Sequence, residues 1–151
     1  GELRVKLQGD TFAITNHLRI EKYLKSVVGS EMPKSWPMAA LKAQAVAART
    51  YALKQVDRKD DFDVNSTQAS QVYLGIESET KTTKAAVNST RSLVLMHEGR
   101  LINAVFHSSS GGKTEASGYV WKKQLPYLVS VRDHDQPVSY TTLTLPTQRI
   151  V

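Results

Sequence analysis

Ser30-Glu31-Met32-Pro33-Lys34-Ser35-Trp36-Pro37, followed by the alanine-rich run from Met38 to Val56, is the stretch around which the chain is organised. One carboxylate stands there among apolar residues and two prolines, directly before the longest helical pattern in the sequence. Ser35 is suited to an N-cap, with Trp36-Pro37 opening the first turn, where proline is tolerated. Leu41, Ala45, Ala48, Ala52 and Val56 then repeat at helical spacing, and Ala39, Ala43 and Ala47 make a thin flank that lets another backbone approach. Lys42 and Arg49 are seven apart, which puts them on one face. Two readings of Glu31 follow from local chemistry. Near a helix N-terminus an anion is favourable by about 0.3–1 kcal/mol without any catalytic meaning. Shielded by Met32, Pro33, Trp36 and Pro37, a carboxyl is also driven toward the proton affinity a general acid needs. At this level both stand.

Upstream, Leu3 to Leu7 and Thr11 to Ile14 alternate apolar and polar residues about Gly9-Asp10, which predicts a hairpin ending at a turn at Asn16-His17. Ile20, Tyr23, Leu24, Val27 and Val28 fit an amphipathic helix with Gly29 as its stop. Downstream, Asp57 to Asp63 is a charged loop. Ser66 to Tyr73 is polar, with a short strand at Gln71-Val72-Tyr73. Thr80 to Thr90 reads as a further helix capped by Ser78 or Thr80. Ser92–His97 and Leu101–Phe106 read as two strands joined at Glu98-Gly99. His107-Ser108-Ser109-Ser110-Gly111-Gly112 is a hydroxyl-rich loop, suited to hydrogen-bonding a polar ligand at close backbone approach. The expected fold is a single α+β domain, two to three helices on a short antiparallel sheet.

Composition narrows the function classes. A chain of 151 residues with 40% hydrophobic and 23% charged residues fits one soluble globular domain. No apolar run reaches the roughly 18–20 residues of a membrane helix. No signal peptide is visible, but the chain starts at Gly1 rather than Met. With no cysteine, disulfides and thiolate metal sites are excluded. The net charge of +6 favours polyanionic partners, yet it is spread out, which argues against a nucleic-acid arm. His17, His97, His107 and His134 have no i, i+4 ligand spacing, and a zinc site from His107, His134 and Asp133 or Asp135 would be a weak one. Gly112-Lys113-Thr114 has the end of a P-loop, but His107 stands where its first glycine is required. Ser108–Ser110 lack the nucleophile elbow of serine hydrolases.

The residues Tyr23 to Pro33, Trp36-Pro37 and Leu41-Lys42-Ala43-Gln44-Ala45-Val46-Ala47-Ala48-Arg49-Thr50-Tyr51-Ala52 closely resemble the SpoIID/LytB family, the stage II sporulation protein D and amidase-enhancer domain of bacteria. Ser70-Gln71-Val72-Tyr73, Ala104 to Glu115, Val120-Trp121 and Pro126-Tyr127-Leu128 continue the resemblance in order, over roughly residues 14–133. The resemblance implies a SpoIID-like domain over 1–136, truncated at its C-terminus. Residues 137–151 form a non-family tail that looks like a translated sequencing adaptor.

It also implies a lytic transglycosylase acting on peptidoglycan strands stripped of stem peptides. Glu31, in the Ser-Glu-Met-Pro motif, would be the single acid/base. Lys42, Gln44, Arg49, Ser70, Gln71, Tyr73, His107, Ser108, Ser109, Ser110, Gly111, Gly112 and Trp121 would bind substrate, in a cleft between the Glu31 loop and the His107–Gly112 loop. No cofactor is expected: some relatives bind zinc through histidines and cysteines, and this chain keeps His107 without a cysteine. Expected partners are glycan strands and a cell-wall amidase or other wall hydrolase, with no nucleic acid and no membrane span. The substrate implies an extracytoplasmic location at the cell wall. The rival from another class is a non-catalytic wall-binding module that enhances an amidase.

Overall fold

A computed structural model describes residues 1–56 and 61–133. Two compact units divide the chain, Gly1–Ala104 and the residues from Val105 onward. The 137–151 tail and His134 lie outside the described residues, as do residues 57–60 of the charged loop.

The first unit starts with an antiparallel hairpin, β1 (Glu2–Gln8) and β2 (Thr11–His17), turning at Gly9-Asp10. β2 continues through Asn16-His17 rather than turning there. Val5 pairs with Ile14 and Leu7 with Phe12, so the apolar half of the alternation collects on one face, where all four side chains are exposed. Three helices follow: α1 (Ile20–Glu31), α2 (Met38–Gln55) and α3 (Lys81–Ser89), with a 3₁₀ turn at Gly75–Ser78 before α3. A minimal hairpin, β3 (Met96–His97) and β4 (Arg100–Leu101), closes the unit. Its turn residues Glu98 and Gly99 both have positive φ, 49° and 74°, as a two-residue hairpin turn requires. The mixed α+β class is as the sequence implies, but the strands expected over 92–106 shrink to two residues each.

The helices pack on one another. Leu24, Val27 and Val28 of α1, Leu41, Ala45 and Ala48 of α2, and Ala86 and Val87 of α3 are all fully buried and form the core. The alanines of α2 allow this, because a stripe without bulk lets α1 and α3 both approach its backbone. Val56, expected on the same stripe, is exposed beyond the end of α2. Ser35 does not cap α2; Pro37 holds that position, and its carbonyl accepts the Ala40 and Leu41 N–H groups at 2.9 and 3.2 Å. Thr80, one of the two expected caps, does cap α3. Its hydroxyl accepts from Thr83 N–H while the Thr83 hydroxyl accepts from Thr80 N–H, a reciprocal box built from two threonines.

Gly29 is not a helix stop. It lies inside α1, buried, and a Cβ there would collide with the carbonyl group of Ser78. The residue is glycine because the 3₁₀ turn crosses α1 at backbone contact. A bond network fixes that crossing: the Ser26 and Ser78 hydroxyls are 2.8 Å apart, and Ser26 Oγ also accepts the Leu74 N–H at 3.2 Å. An alanine in a helix interior is ordinarily worth up to about 1 kcal/mol over glycine. Overpacking against rigid backbone costs about 1–3 kcal/mol, so the collision decides the sign. Gly29→Ala is therefore expected to lower stability by about 1–2 kcal/mol, read as a reduced urea midpoint at unchanged m-value; a raised midpoint would sink the close-approach account.

Arg49 corrects another expectation. It does not share an open groove with Lys42: Arg49 is buried, with 1% of its side chain exposed, while Lys42 is exposed. Seven residues on one helix differ by only about 20° around the axis. The contrast therefore arises along the axis, at the level where Glu21 of α1, Val87 of α3 and Leu93 surround the Arg49 guanidinium. All five guanidinium N–H donors are used inside the unit. Nε and Nη2 grip Glu21 Oε1 and Oε2 at 2.9 and 2.8 Å. Nη1 reaches the Ala45 and Leu93 carbonyls at 3.4 and 3.1 Å, and Nη2 the Val87 carbonyl at 3.3 Å.

Burial pushes the Glu21 carboxyl up, but the hydrogen bonds and charge of Arg49, helped by the Ser92 N–H and Arg91, outweigh it and hold the group below its ordinary value. A depressed folded pKa gives stability that is complete above the unfolded value, about 4.3, and is lost as pH falls through the folded value. Glu21→Gln should cost about 3 kcal/mol at pH 7, since it leaves a buried guanidinium without its counter-charge. The gap to wild type should close below about pH 4. Urea midpoints measured between pH 7 and pH 3 check this, and a gap constant with pH would refute it.

Candidate functional site

Glu31 is the last residue of α1, half-buried, and its carboxylate faces the segment 70–74 rather than a helix N-terminus. Oε1 accepts the backbone N–H of Val72 at 2.7 Å. The anion-at-a-helix-start reading therefore does not describe it: its hydrogen bond comes from a strap more than forty residues away. No ion pair to Glu31 occurs among the described residues.

The strap is not the short strand expected at Gln71-Val72-Tyr73. It is irregular backbone, held by a different bond at nearly every residue. Ser70 N–H donates to the Thr67 carbonyl at 3.0 Å, and Ser70 Oγ accepts from Asn65 N–H. Gln71, fully buried, receives the Tyr23 hydroxyl on Oε1 at 3.1 Å and donates Nε2 to the Ala48 carbonyl at 3.2 Å. Tyr73 N–H donates to the Ser66 carbonyl at 3.0 Å, and its ring stacks on Tyr23 with centroids 5.5 Å apart and planes 13° from parallel. Leu74 N–H completes the set on Ser26 Oγ.

Electrostatics tie Tyr23 to the same locus. Burial raises its phenol well above the ordinary value, and the negative charge of Glu31, then Tyr51 and Tyr73, raises it further. Tyr73 is raised by burial and by Glu79, against a hydrogen bond from Asn16 that lowers it. Both phenols are consequently protonated at neutral pH. Tyr23 was legible in sequence only as part of the apolar face of α1, and the Val72 amide, a backbone group, has no sequence signal at all.

The other expected site residues of this unit separate into two groups. Gln71 and Arg49 have their polar atoms committed inside the protein, so neither presents a free group to a ligand. Lys42 is exposed, Tyr73 and Ser70 are half-buried, and Gln44 has a buried amide nitrogen with no hydrogen-bond partner among the described residues. A buried unpaired amide costs about 1–3 kcal/mol, which makes Gln44 a donor in want of an acceptor.

The second unit carries the hydroxyl-rich loop. His107, Ser108, Ser109 and Gly111 are exposed, and Ser110 and Gly112 half-buried. Gly111 and Gly112 have φ of 68° and 96°, which explains the paired glycines. Ser110 Oγ donates to Asp133 Oδ2 at 2.8 Å and accepts Gly112 N–H at 3.2 Å, while Asp133 N–H returns to the Gly112 carbonyl at 3.1 Å. This holds the loop's shape and gives Ser110 a carboxylate partner, not an imidazole base. Trp121, 40% exposed, ends the short helix α4 (Ser117–Trp121). Among the described residues no group of three or more His, Asp or Glu side chains is placed to hold a metal ion, and no helix is long and apolar enough to cross a membrane.

Comparison with known proteins agrees with this layout of motifs. The family model described as Stage II sporulation protein, SpoIID, matches residues 8–97, which include Glu31, Gln44 and the whole strap. The amidase enhancer of Bacillus subtilis (strain 168) is 46% identical over 127 residues, 84% of this chain and 17% of that protein. Stage II sporulation protein D of the same organism is 37% identical over 133 residues, 77% of this chain and 39% of that protein. Its counterpart in Bacillus amyloliquefaciens is 34% identical over 143 residues, 80% of this chain and 41% of that protein. The chain thus spans well under half the length of these relatives. With more than half of its residues matched by the family model, the chain belongs to the SpoIID family of stage II sporulation proteins.

Proposed function

We propose that the chain is the acid/base-bearing part of a peptidoglycan lytic transglycosylase, acting outside the cytoplasm on glycan strands without stem peptides. The observation that carries the reading is the Glu31 carboxylate, held on one oxygen by Val72 N–H, with no cation paired to it among the described residues. Ordinary glycosidases use two carboxylates, one to protonate the leaving oxygen and one as nucleophile or water activator. A single carboxyl suffices when the sugar supplies its own nucleophile. Glu31 would give its proton to the glycosidic oxygen as the C1–O bond breaks. The carboxylate then takes the proton of the muramic acid 6-hydroxyl as O6 bonds to C1, closing a 1,6-anhydro ring. The proton count returns to its starting point, and no water is consumed. Intramolecular attack of this kind draws on the high effective molarity of a held hydroxyl.

Lys42, the unpaired Gln44 amide and the Tyr73 phenol offer a cation and two neutral donors for lactyl carboxylate, N-acetyl and hydroxyl oxygens. Arg49 and Gln71 are omitted from this set because their polar atoms are already bound. No cofactor enters the scheme.

A second reading has its own support: the relative with 46% identity is named amidase enhancer. On that reading the chain binds glycan and assists a wall amidase without cleaving anything. The Glu31→Gln variant separates the two. The amide keeps an oxygen for Val72 N–H, so the fold should hold, while proton donation is lost. Release of 1,6-anhydro-muramic ends from denuded strands, followed by mass spectrometry, is expected to fall by roughly a hundredfold to ten-thousandfold. Unchanged cleavage would remove Glu31 as the acid. Absence of anhydro ends with wild-type protein, together with stimulation of a purified amidase, would establish the binding module instead.

A further inference from the structure

The two oxygens of Glu31 are not equivalent. Oε1 is occupied by the Val72 N–H at 2.7 Å. A carboxylate oxygen already accepting a short hydrogen bond is the less basic of the pair, so a proton adds to the other one. We propose that Gln71 and Tyr23 are positioning residues that keep the Val72 N–H on Oε1, and so assign Oε2 as the oxygen that carries the acid's proton. The proposal rests on the reading of Glu31 as the acid, and extends it from the residue to the atom.

Val72 cannot hold this position by itself. The strap belongs to no sheet, so no ladder fixes the direction of its amides. Downstream it is tied at Tyr73 and Leu74 through their own N–H groups. On the upstream side the adjacent tie that bridges both helices is the Gln71 side chain, which spans from Tyr23 on α1 to the Ala48 carbonyl on α2. The orientation of its amide is dictated by chemistry. The Ala48 carbonyl can only accept, so Nε2 must face it; Oε1 then meets the Tyr23 hydroxyl, which the raised phenol keeps as a donor. Turning the amide over would set carbonyl against carbonyl. Gln71 is fully buried with both polar ends bound, so it is fixed in one state. Tyr23 also stacks on Tyr73, which flanks Val72 on the other side. Residues 71 and 73 are thus both anchored to the helix that carries Glu31, and the amide between them has little freedom to turn away.

The experiment compares wild type with Tyr23→Phe, which removes one hydroxyl and retains the ring stack, and with Glu31→Gln. Gln71→Met serves as a second latch variant of similar volume. The first readout needs no activity. In wild type the amide proton resonance of Val72 should follow protonation of the carboxylate as pH is lowered, and this titration should vanish in Glu31→Gln. Tyr23→Phe or Gln71→Met should at least halve its amplitude while the folded-state spectrum persists. The second readout is turnover on denuded glycan strands. Mispositioning a catalytic group costs roughly tenfold to a hundredfold in rate, so kcat should fall by that factor with KM within twofold. An unaltered Val72 titration in both latch variants overturns the proposal, as does a KM that rises in step with a falling kcat. If wild type shows no anhydro product, the acid assignment fails, while the Val72 titration still decides whether the latch holds the carboxylate.

Discussion

A guanidinium with 1% of its side chain exposed has to find an acceptor for every N–H inside the protein, and Arg49 finds them on four segments. Glu21 comes from α1, the Ala45 carbonyl from its own helix, the Val87 carbonyl from α3, and the Leu93 carbonyl from the chain leaving α3. The effective desolvation cost of such a charge is several kcal/mol, and it is offset only because the fork geometry is met bidentately by Glu21 and the remaining donors are all used. Apart from the Gln71 tie between α1 and α2, the three core helices are otherwise joined by leucine, valine and alanine, contacts that tolerate sliding. Arg49 does not tolerate it. Its bonds give the apolar cluster one register, and Glu31, at the far end of α1, inherits its place from that register.

Much of this was legible in the sequence where a period or a local rule spoke. The β1–β2 hairpin shows in a strict alternation about Gly9-Asp10, the buried stripe of α2 in Leu41, Ala45, Ala48 and Ala52, and the start of α3 in Thr80. Bonds between distant segments have no period. Nothing near Arg49 announces that Glu21 lies across from it, and seven-residue spacing to Lys42 pointed to a shared exposed face because spacing reports angle and not depth. Gly29 was misread for a related reason. Glycine marks helix ends and close approaches alike, and only the Ser78 carbonyl above it distinguishes the two. The strap at 70–74 looked strand-like through Val72 and Tyr73, but its fastenings are side chains and single backbone groups drawn from several separate places in the unit.

The hairpin presents the opposite case, a well-predicted element with little to pack on. Val5, Leu7, Phe12 and Ile14 share an exposed face, and an isolated two-stranded ribbon is marginal in water. Within the unit it is joined to the rest through the chain leading into α1, through a hydrogen bond from Asn16 to the Tyr73 phenol, and through the exposed Lys6–Asp61 ion pair, a kind of contact worth little by itself. Its order comes from the β1–β2 ladder and turn. The core that positions Glu31 is built without it.

Arg49 and Glu31 divide the electrostatic work of the first unit. A cation within about 4–6 Å of a carboxyl favours its charged form, which is what Arg49 does for Glu21. Arg49 is committed to Glu21 in the first turn of α1, while Glu31 ends the same helix. What is left to hold Glu31 is neutral: one backbone amide, fixed by an amide side chain that is itself fixed by a phenol. A neutral donor sets the direction of a carboxylate through one hydrogen bond and brings no net charge to it. The two carboxylates of α1 are thus held in different ways, Glu21 by a buried guanidinium and Glu31 by a backbone amide whose neighbours Gln71 and Tyr73 are themselves tied down.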